Sequence, residues 1–211
     1  MSEQLLAKSI WEKKYFDGAW KDAPTTIPVR EPATGGSLGT AGGGTAELAV
    51  QLTEQAAKAQ PAWAAVPAEQ RAAIMRKAAG IIETHAEEIT EWIIRETGGV
   101  GPKAGYEIAI ATGELYHSAA ITIEPIGQIL PPTNPDRMSM AMRVPVGVVS
   151  VITPWNVPLV LAMRSVAPAL ALGNAVVLKP DHQTPVSGGY VLARAFELAG
   201  VPAGVFSVLP G

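Results

Sequence analysis

The sequence predicts an α/β protein whose last third forms a βαβαβ unit with a parallel sheet. Three short apolar runs carry this prediction: VGVVSVI, AVVLK and VFSVL. Each run is separated from the next by a segment with helical spacing of its apolar residues, as a crossover between parallel strands requires. Strands buried on both faces read as continuous apolar runs, and their crossovers are right-handed. We therefore expect the three runs to be strands of one sheet.

The composition is typical of a globular protein without a special surface. The 211 residues are 48% hydrophobic and 17% charged, and the formal net charge is -3. This balance excludes a basic nucleic-acid surface and a highly charged interaction tail. No apolar stretch approaches the roughly 20 residues of a membrane span, and the N-terminus lacks a signal-peptide core. We expect a cytoplasmic protein with no membrane or nucleic-acid partner.

Cysteine is absent from the 211 residues. Disulfides, thiolate metal sites and a cysteine nucleophile are therefore excluded within this sequence. The three histidines, His85, His117 and His182, lie far apart and share no ligand spacing. We expect no metal site.

The first part of the chain, through Gly44, is rich in Gly and Pro and predicts short strands joined by turns. Its G-x-x-G spacings predict turns rather than a phosphate loop, because no strong strand precedes them. From Thr45 the apolar spacing becomes helical, and we expect this helix to stop at Pro61. A second helix is expected to begin at Pro67.

The apparent long helix after Pro67 is expected to be two helices. THAE reads as a capping box, in which the Thr84 hydroxyl accepts from the Glu87 N–H. The second helix should end at Gly98-Gly99, and PKAGYEIAIATGELYHSAA predicts another helix. We expect all of these helices to be packing elements without chemistry.

Between Ile126 and Val149 the period becomes two, and PPTNPD supplies a turn. Met138, Met140 and Met142 then share one face of a hairpin. An extended hairpin of this kind suits a subunit edge.

Two motifs follow the first two strands of the parallel sheet, TPWN and KPDH. Ligands of open parallel sheets bind at the carboxyl ends of the strands, so both motifs are candidate site segments. In TPWNVP, prolines on both sides fix the backbone around Asn156. Two interpretations of Asn156 stay open here: a helix N-cap, or an amide that donates to a developing negative charge. After KPDH, Thr184 is expected to cap the next helix, with Pro185 at its first position.

Several motifs together resemble the aldehyde dehydrogenase superfamily: P-W-N-x-P, P-A-L-A-x-G-N, V-x-K-P and GVPAGVFSVLPG, with REPATGG, AQPAW and RETGG upstream. The resemblance runs from about Trp20 to the end of the sequence. LKPDHQTPVSGG and the RSVAPALALGN helix are most similar to the benzaldehyde or aryl-aldehyde branch. The resemblance implies the N-terminal part of the aldehyde dehydrogenase fold: an incomplete Rossmann-like parallel sheet, helices and an oligomerisation-type hairpin.

The resemblance also implies NAD(P)-dependent oxidation of an aldehyde to a carboxylic acid. In the family a cysteine thiolate attacks the aldehyde, hydride passes to the nicotinamide, and water hydrolyses the thioester with a glutamate as general base. Both residues lie downstream of the region matched by this sequence. We therefore expect an N-terminal fragment that is inactive on its own, from which the catalytic domain is absent.

Site residues follow from the resemblance position by position. Asn156 matches an oxyanion-hole donor, a contribution of roughly 2.7–4 kcal/mol. Lys179 matches the residue that binds the adenosine ribose hydroxyls, and His182 stands where the family has a glutamate for the ribose 2′-OH. A carboxylate would repel a 2′-phosphate and an imidazole would not, so NAD and NADP both stay open. The full set expected along the cofactor is Ile152, Thr153, Pro154, Trp155, Lys179, Asp181 and His182.

Four residues match the family's aldehyde tunnel: Val157, Val160, Leu161 and Arg164. Val157 replaces a common phenylalanine, which leaves room for a bulky or aromatic aldehyde. Plain alternatives remain for these positions. Core packing explains the aliphatic residues and Trp155, and a solvated strand end explains Lys179.

The expected organisation has three parts. Residues 1–125 form N-terminal strands and the helical part of the cofactor-binding domain, residues 126–145 a bridging hairpin, and residues 146–211 the truncated βαβαβ unit. The VFSVL strand is expected to leave an exposed apolar edge, and the parent enzyme to be a homodimer or homotetramer. The alternative function is a non-catalytic nucleotide-binding or interaction module, or a fragment without independent function.

Overall fold

A five-stranded mixed sheet, covered by helices, organises residues 4–211, the part of the chain that the computed structural model describes. The first three residues of the predicted 1–125 unit lie outside this part. In chain order the elements are α1 (Lys8–Trp11), β1 (Lys14–Phe16), β2 (Trp20–Asp22), β3 (Thr25–Arg30), β4 (Ser37–Gly43), α2 (Ala46–Ala64), α3 (Ala68–Thr84), α4 (Ala86–Thr97), α5 (Gly101–Ile121), β5 (Gly127–Leu130), β6 (Ser139–Met142), β7 (Val148–Ile152), α6 (Pro158–Ala171), β8 (Ala175–Lys179), a π-helix (Val186–Tyr190), α7 (Val191–Ala199) and β9 (Phe206–Val208).

The predicted βαβαβ unit is confirmed. The strand order is β2-β1-β9-β8-β7, in which β7, β8 and β9 run parallel. Alternate residues of β8 face opposite sides of the sheet. Ala175 and Val177 pack with α2, whereas Val176 and Leu178 belong to the main core, to which α3 to α7 contribute. This alternation explains why AVVLK is apolar at nearly every position.

The prediction of an exposed edge at the VFSVL strand is wrong. The N-terminal strand β1 pairs antiparallel with β9, with Phe16 opposite Val208, and β9 is buried throughout. The two edge strands of the sheet are instead β2 and β7, and on β7 Ser150 is exposed and Ile152 is 73% exposed. Ser150 and Ile152 are two residues apart and lie on the same face of β7, whereas Val151 on the other face is buried, so the run is not buried on both faces as predicted.

The first long helix passes through the proline that was expected to stop it. Thr45 caps α2 as the change of period indicates, since its hydroxyl accepts from the Leu48 N–H at 3.2 Å. Pro61 nevertheless lies inside α2, which continues to Ala64. The continuation buries Trp63, whose indole N–H donates to the Leu170 carbonyl at 2.9 Å. Tertiary packing here outweighs the helix-breaking tendency of proline.

The division between α3 and α4 falls where the sequence predicts it, but the capping box does not form. The Thr84 hydroxyl donates back to the Gly80 carbonyl at 2.7 Å, as a residue at the end of α3. The N-cap of α4 is His85, which has no side-chain capping bond. At the other end, Gly98 adopts the left-handed conformation (φ 70°) that ends the helix as predicted.

The predicted hairpin is formed by β5 and β6, with Ile129 directly opposite Met140. Its apolar side chains are largely exposed, at 74% for Ile129 and 59% for Met140, and Met138 and Met142 are exposed too. Within residues 4–211 the methionine face is therefore uncovered.

The main core joins the helices to the sheet. α5 packs against both α3 and α6, and α3 also contacts α7. Side chains of α5 and α4 also reach the starts of the helices that follow β7 and β8, respectively. No helix among residues 4–211 has the length and apolar character needed to cross a membrane.

Candidate functional site

The two predicted site segments meet at the carboxyl ends of neighbouring strands. Ile152 at the end of β7 pairs with Lys179 at the end of β8. One step further, the Thr153 N–H donates to the Lys179 carbonyl at 3.2 Å. TPWN and KPDH therefore leave the sheet side by side, as expected for segments that share one ligand.

The TPWNVP turn presents its central side chains to solvent. Pro154, Trp155 and Asn156 are exposed, and Trp155 retains 49% of its surface. The alternative that Trp155 is a packed core residue is therefore wrong. The N-cap of α6 is Val157, which makes no side-chain capping bond, so the interpretation of Asn156 as the cap is wrong as well.

A carboxylate from α5 takes the place of the missing cap. Glu107 is fully buried, and its Oε2 accepts from the Leu159 N–H at 3.0 Å. Its Oε1 lies 2.5 Å from the Lys103 ammonium, which is partly exposed. The buried charge is thus paired on one side and hydrogen-bonded on the other, as burial of a carboxylate requires.

The KPDH turn is organised by Asp181. Its Oδ1 accepts from the Gln183 N–H at 2.9 Å and lies 3.3 Å from His182 Nδ1. His182 and Lys179 are exposed, and the Lys179 ammonium donates to the Gly211 carbonyl. The exposed side chains at this end of β8 are therefore Lys179 and His182, while the Asp181 carboxylate is half-buried and bonded within the turn.

A second buried carboxylate holds the helix after KPDH. Glu96 on α4 accepts from the Val186 N–H at 2.9 Å, the Ser187 N–H at 2.7 Å and the Ser187 hydroxyl. Burial raises the pKa of Glu96 to about 7, although the hydrogen bonds from Ser187 and Val186 favour its ionised form. The predicted Thr184 cap is wrong: among residues 4–211 its buried Oγ1 has no hydrogen-bond partner.

The predicted tunnel residues all lie in the first turns of α6 or just before it. Val160 is buried in the core, whereas Val157 and Leu161 are half-buried. Arg164 is exposed, with its Nε 3.9 Å from Glu114 Oε1. A tunnel position for these four residues therefore stays a prediction.

Glu96 and Glu107 were missed, because their helices were expected to carry only packing residues. A signal was present in the sequence. Glu107 stands in the apolar stripe of α5 with Ala104, Ile108 and Ala111, and Glu96 continues a similar stripe on α4. A charge at a buried position of an amphipathic helix predicts a specific partner.

Concave surface is also present away from the strand ends. A groove of about 660 Å³ lies between α3 and α5, lined by residues that include Arg76 and Tyr116, and it contains none of the predicted site residues. Within the described part of the chain, no group of three or more metal-ligating side chains is assembled.

The strand-end turns can be compared with those of known proteins. Residues 20–211 match the Aldehyde dehydrogenase family. The chain belongs to this family. The resemblance of the motifs to aldehyde dehydrogenases, from about Trp20 onwards, is thereby confirmed.

Similar aldehyde dehydrogenases include enzymes named for aromatic substrates. The chain is 50% identical to a vanillin dehydrogenase of Amycolatopsis sp. over 98% of its own length, and 47% identical to the NAD⁺-dependent benzaldehyde dehydrogenase of Pseudomonas putida over 96%. It superposes on the NAD-dependent benzaldehyde dehydrogenase of Corynebacterium glutamicum with a TM-score of 0.90 and 42% identity, over 94% of this chain.

The chain spans less than half the length of these aldehyde dehydrogenases. It covers 43% of the vanillin dehydrogenase, 42% of the benzaldehyde dehydrogenase and 43% of the superposed structure. The predicted fold class, the N-terminal part of the aldehyde dehydrogenase fold with a partial parallel sheet, is confirmed by this superposition.

Proposed function

We propose that the chain is the cofactor-side part of an NAD(P)-dependent aldehyde dehydrogenase that oxidises an aromatic aldehyde to its carboxylic acid. The observation that carries this proposal is the pairing of Ile152 with Lys179. It brings the turn bearing the exposed Asn156 next to the strand end bearing the exposed Lys179. A polar donor for reaction and a cation for binding thus leave the sheet together.

The side chains at the strand ends fit a dinucleotide. Ile152 and Trp155 offer exposed apolar surface, and Lys179 offers an ammonium for hydroxyl oxygens. The Thr153 hydroxyl is buried without a partner among residues 4–211, as expected of a polar group that awaits a ligand. Pro154 and Asp181 complete the proposed cofactor-side set. The chemistry that a bound nicotinamide supplies is acceptance of a hydride.

Both forms of the cofactor are compatible with this strand end. His182 is exposed and stands where the family carries a glutamate, so no carboxylate from this position meets a 2′-phosphate. We propose that the protein accepts NAD and NADP.

The proposed role of Asn156 is to donate its amide N–H to the oxyanion that forms when the aldehyde carbon is attacked. The chain's part in the reaction is to hold that donor still. Pro154 and Pro158 restrict the backbone on both sides, and Pro158 begins α6. A preorganised donor of this kind needs no rearrangement as charge develops.

The proposed substrate class is aromatic. Val157 is smaller than the phenylalanine common at this family position, and it is half-buried beside the exposed turn. Leu161 and Arg164 lie on the following turns of α6. Two relatives named for vanillin and benzaldehyde support the same substrate class.

The proposed domain assignment keeps the three parts expected from the sequence: residues 1–125 and 146–211 on the cofactor side, and residues 126–145 as a bridging hairpin. The uncovered face with Ile129 and Met140 supports a role in a homodimer or homotetramer, because monomers seldom expose contiguous apolar patches. A cytoplasmic location stays a prediction.

The test uses the full-length protein encoded by the gene that carries this sequence. Benzaldehyde, vanillin and heptanal are each offered with NAD⁺ and with NADP⁺, and reduced cofactor is measured. We expect turnover with a higher kcat/KM for the aromatic aldehydes. No turnover with any aldehyde would overturn the proposal, and cofactor binding without turnover would favour a non-catalytic nucleotide-binding module.

A further inference from the structure

The helices after both strand-end turns begin without a cap of their own. The first N–H groups of a helix have no partner within it, and a Ser, Thr, Asp or Asn side chain usually accepts from one of them. The N-cap residues here are Val157 for α6 and Pro185 for the π-helix, and neither makes a side-chain capping bond. In both cases the acceptor is a buried glutamate from a distant part of the chain.

Glu107 holds the chain three residues after Asn156. Pro158 has no N–H, so the Leu159 N–H is the first backbone donor of α6, and Glu107 Oε2 accepts from it at 3.0 Å. Lys103 pairs with the other oxygen from the partly exposed side of α5. A negative charge at this helix end is also favoured by the helix dipole. The position of α6, and with it the turn before it, therefore depends on α5.

Glu96 holds the chain after Lys179 and His182 in the same way. Its two oxygens accept from the Val186 and Ser187 N–H groups, and the Ser187 hydroxyl adds a third bond. No other capping side chain serves this helix start within residues 4–211. The KPDH turn is thus fixed at one end by β8 and at the other by α4.

A third glutamate provides a comparison within the same molecule. Glu88, also on α4, accepts from the Leu5 and Leu6 N–H groups at 2.8 Å each. The chemistry resembles that of Glu96, but the segment it holds leads into neither strand-end turn. Loss of this contact should affect packing alone.

We propose that Glu107 and Glu96 are positioning residues with separate tasks: Glu107 sets the place of the Asn156 amide, and Glu96 sets the place of the Lys179–His182 turn. This inference rests on the proposed roles of Asn156 and Lys179. Because the two carboxylates act on different turns, their loss affects different steps. A displaced Asn156 weakens the transition state, and a displaced KPDH turn weakens cofactor binding.

The experiment compares Glu107→Asp, Glu96→Asp and the matched control Glu88→Asp in the full-length protein. Each change keeps the carboxyl group and withdraws the acceptor by about one carbon–carbon bond, roughly 1.5 Å. Glu107→Gln is the conservative variant. Its amide oxygen can still accept from the Leu159 N–H, and the partly exposed Lys103 ammonium can turn to solvent. Measurements are kcat, the cofactor KM and hydrogen exchange of peptides spanning residues 153–161 and 179–187.

We expect Glu107→Asp to lower kcat by about 10²-fold, the loss typical of a misplacement near 1 Å, with little change in cofactor KM. Glu107→Gln should retain most of the wild-type kcat. Glu96→Asp should raise the cofactor KM by about tenfold, the effect expected for the loss of one hydrogen bond, with a smaller effect on kcat. Hydrogen exchange should become faster only in residues 153–161 for Glu107→Asp and only in residues 179–187 for Glu96→Asp. Glu88→Asp should change neither kcat, nor the cofactor KM, nor the exchange of these peptides.

Equal effects of all three aspartate variants on kcat and cofactor KM would overturn the inference and leave the glutamates as packing residues. A full-length protein that turns over no aldehyde would overturn the proposed function instead. In that case hydrogen exchange decides: separate local responses support the positioning roles, and unchanged or uniform exchange overturns them.

Discussion

The carboxylate of Glu96 accepts from the Ser187 backbone N–H at 2.7 Å and from the Ser187 hydroxyl, although the two residues lie 91 positions apart. The contact fastens α4 to the start of the π-helix. It also leaves an acid group fully inside the protein, where burial raises its pKa to about 7. The folded protein therefore retains a proton on Glu96 at pH values where the unfolded chain has released it.

This relationship predicts a specific dependence of stability on pH. A raised folded-state pKa gives a contribution that is present below the unfolded value of 4.5 and is lost as the pH rises through about 7. The expected loss is about 3 kcal/mol of unfolding free energy. Glu96→Gln removes the titration, so its urea midpoint should vary less over this range. Exposed Glu54→Gln serves as the control and should follow the wild type; parallel midpoints for wild type and Glu96→Gln would contradict the prediction.

Asn156→Ala in the full-length protein tests the proposed oxyanion donor. Loss of one such donor typically lowers kcat by about 10²–10³-fold, and the cofactor KM should change little. Asn134, an exposed asparagine in the turn of the β5–β6 hairpin, provides the control Asn134→Ala, which should leave kcat unchanged. A normal kcat for Asn156→Ala would remove Asn156 from the mechanism.

The sequence predicted the placement of the two strand-end turns better than it predicted the contacts that hold them. TPWN and KPDH could be assigned to neighbouring strand ends because parallel strands have a regular pattern, and the pairing of Ile152 with Lys179 agrees. The partners of β9 and of the two helix starts could not be predicted in this way. Phe16, Glu96 and Glu107 reach their partners from 52 to 192 residues away, and local periodicity contains no information on such pairings.

Local rules failed where tertiary contacts were stronger. Pro61 was expected to end α2, but the bond from Trp63 to Leu170 holds the helix beyond it. Thr84 and Thr184 were expected to cap helices, yet Thr84 bonds back to Gly80 and a buried glutamate replaces Thr184. A capping residue is a local acceptor for helix N–H groups, and any acceptor that the fold delivers can replace it.

His182→Glu tests the proposed acceptance of NADP. A carboxylate about 4 Å from a phosphate charge in water opposes it by about 1 kcal/mol, so the ratio of kcat/KM for NAD⁺ to that for NADP⁺ should rise at least about fivefold. Exposed His117→Glu, on α5, introduces the same charge elsewhere and should leave the ratio unchanged. A ratio for His182→Glu equal to that of His117→Glu would contradict the proposed position of this side chain.

The purified 211-residue chain is expected to show no aldehyde oxidation. The family's reaction uses a cysteine thiolate as nucleophile, and this sequence contains no cysteine. Benzaldehyde with NAD⁺ or NADP⁺ should therefore yield no reduced cofactor with this chain, whereas the full-length protein should produce it under the same conditions. Turnover by the purified chain at a rate above a heat-inactivated sample would require a different nucleophile.

The last prediction concerns self-association of the purified chain. The edge at β9 is covered by β1. Exposed apolar side chains remain at the β7 edge, where Ile152 is exposed, and on the β5–β6 hairpin, where Ile129 lies opposite Met140. Exposed edges and apolar patches of this kind recruit other chains. We expect light scattering to show a mass that rises with concentration.

Replacing the pair by Ile129→Lys with Met140→Glu keeps a favourable cross-strand contact while removing the apolar face, and should lower the apparent mass towards that of a monomer. Val50→Glu, on an exposed apolar position of α2, is the control and should associate like the wild type. A wild-type chain that stays monomeric at every concentration would show that the hairpin face does not drive assembly by itself.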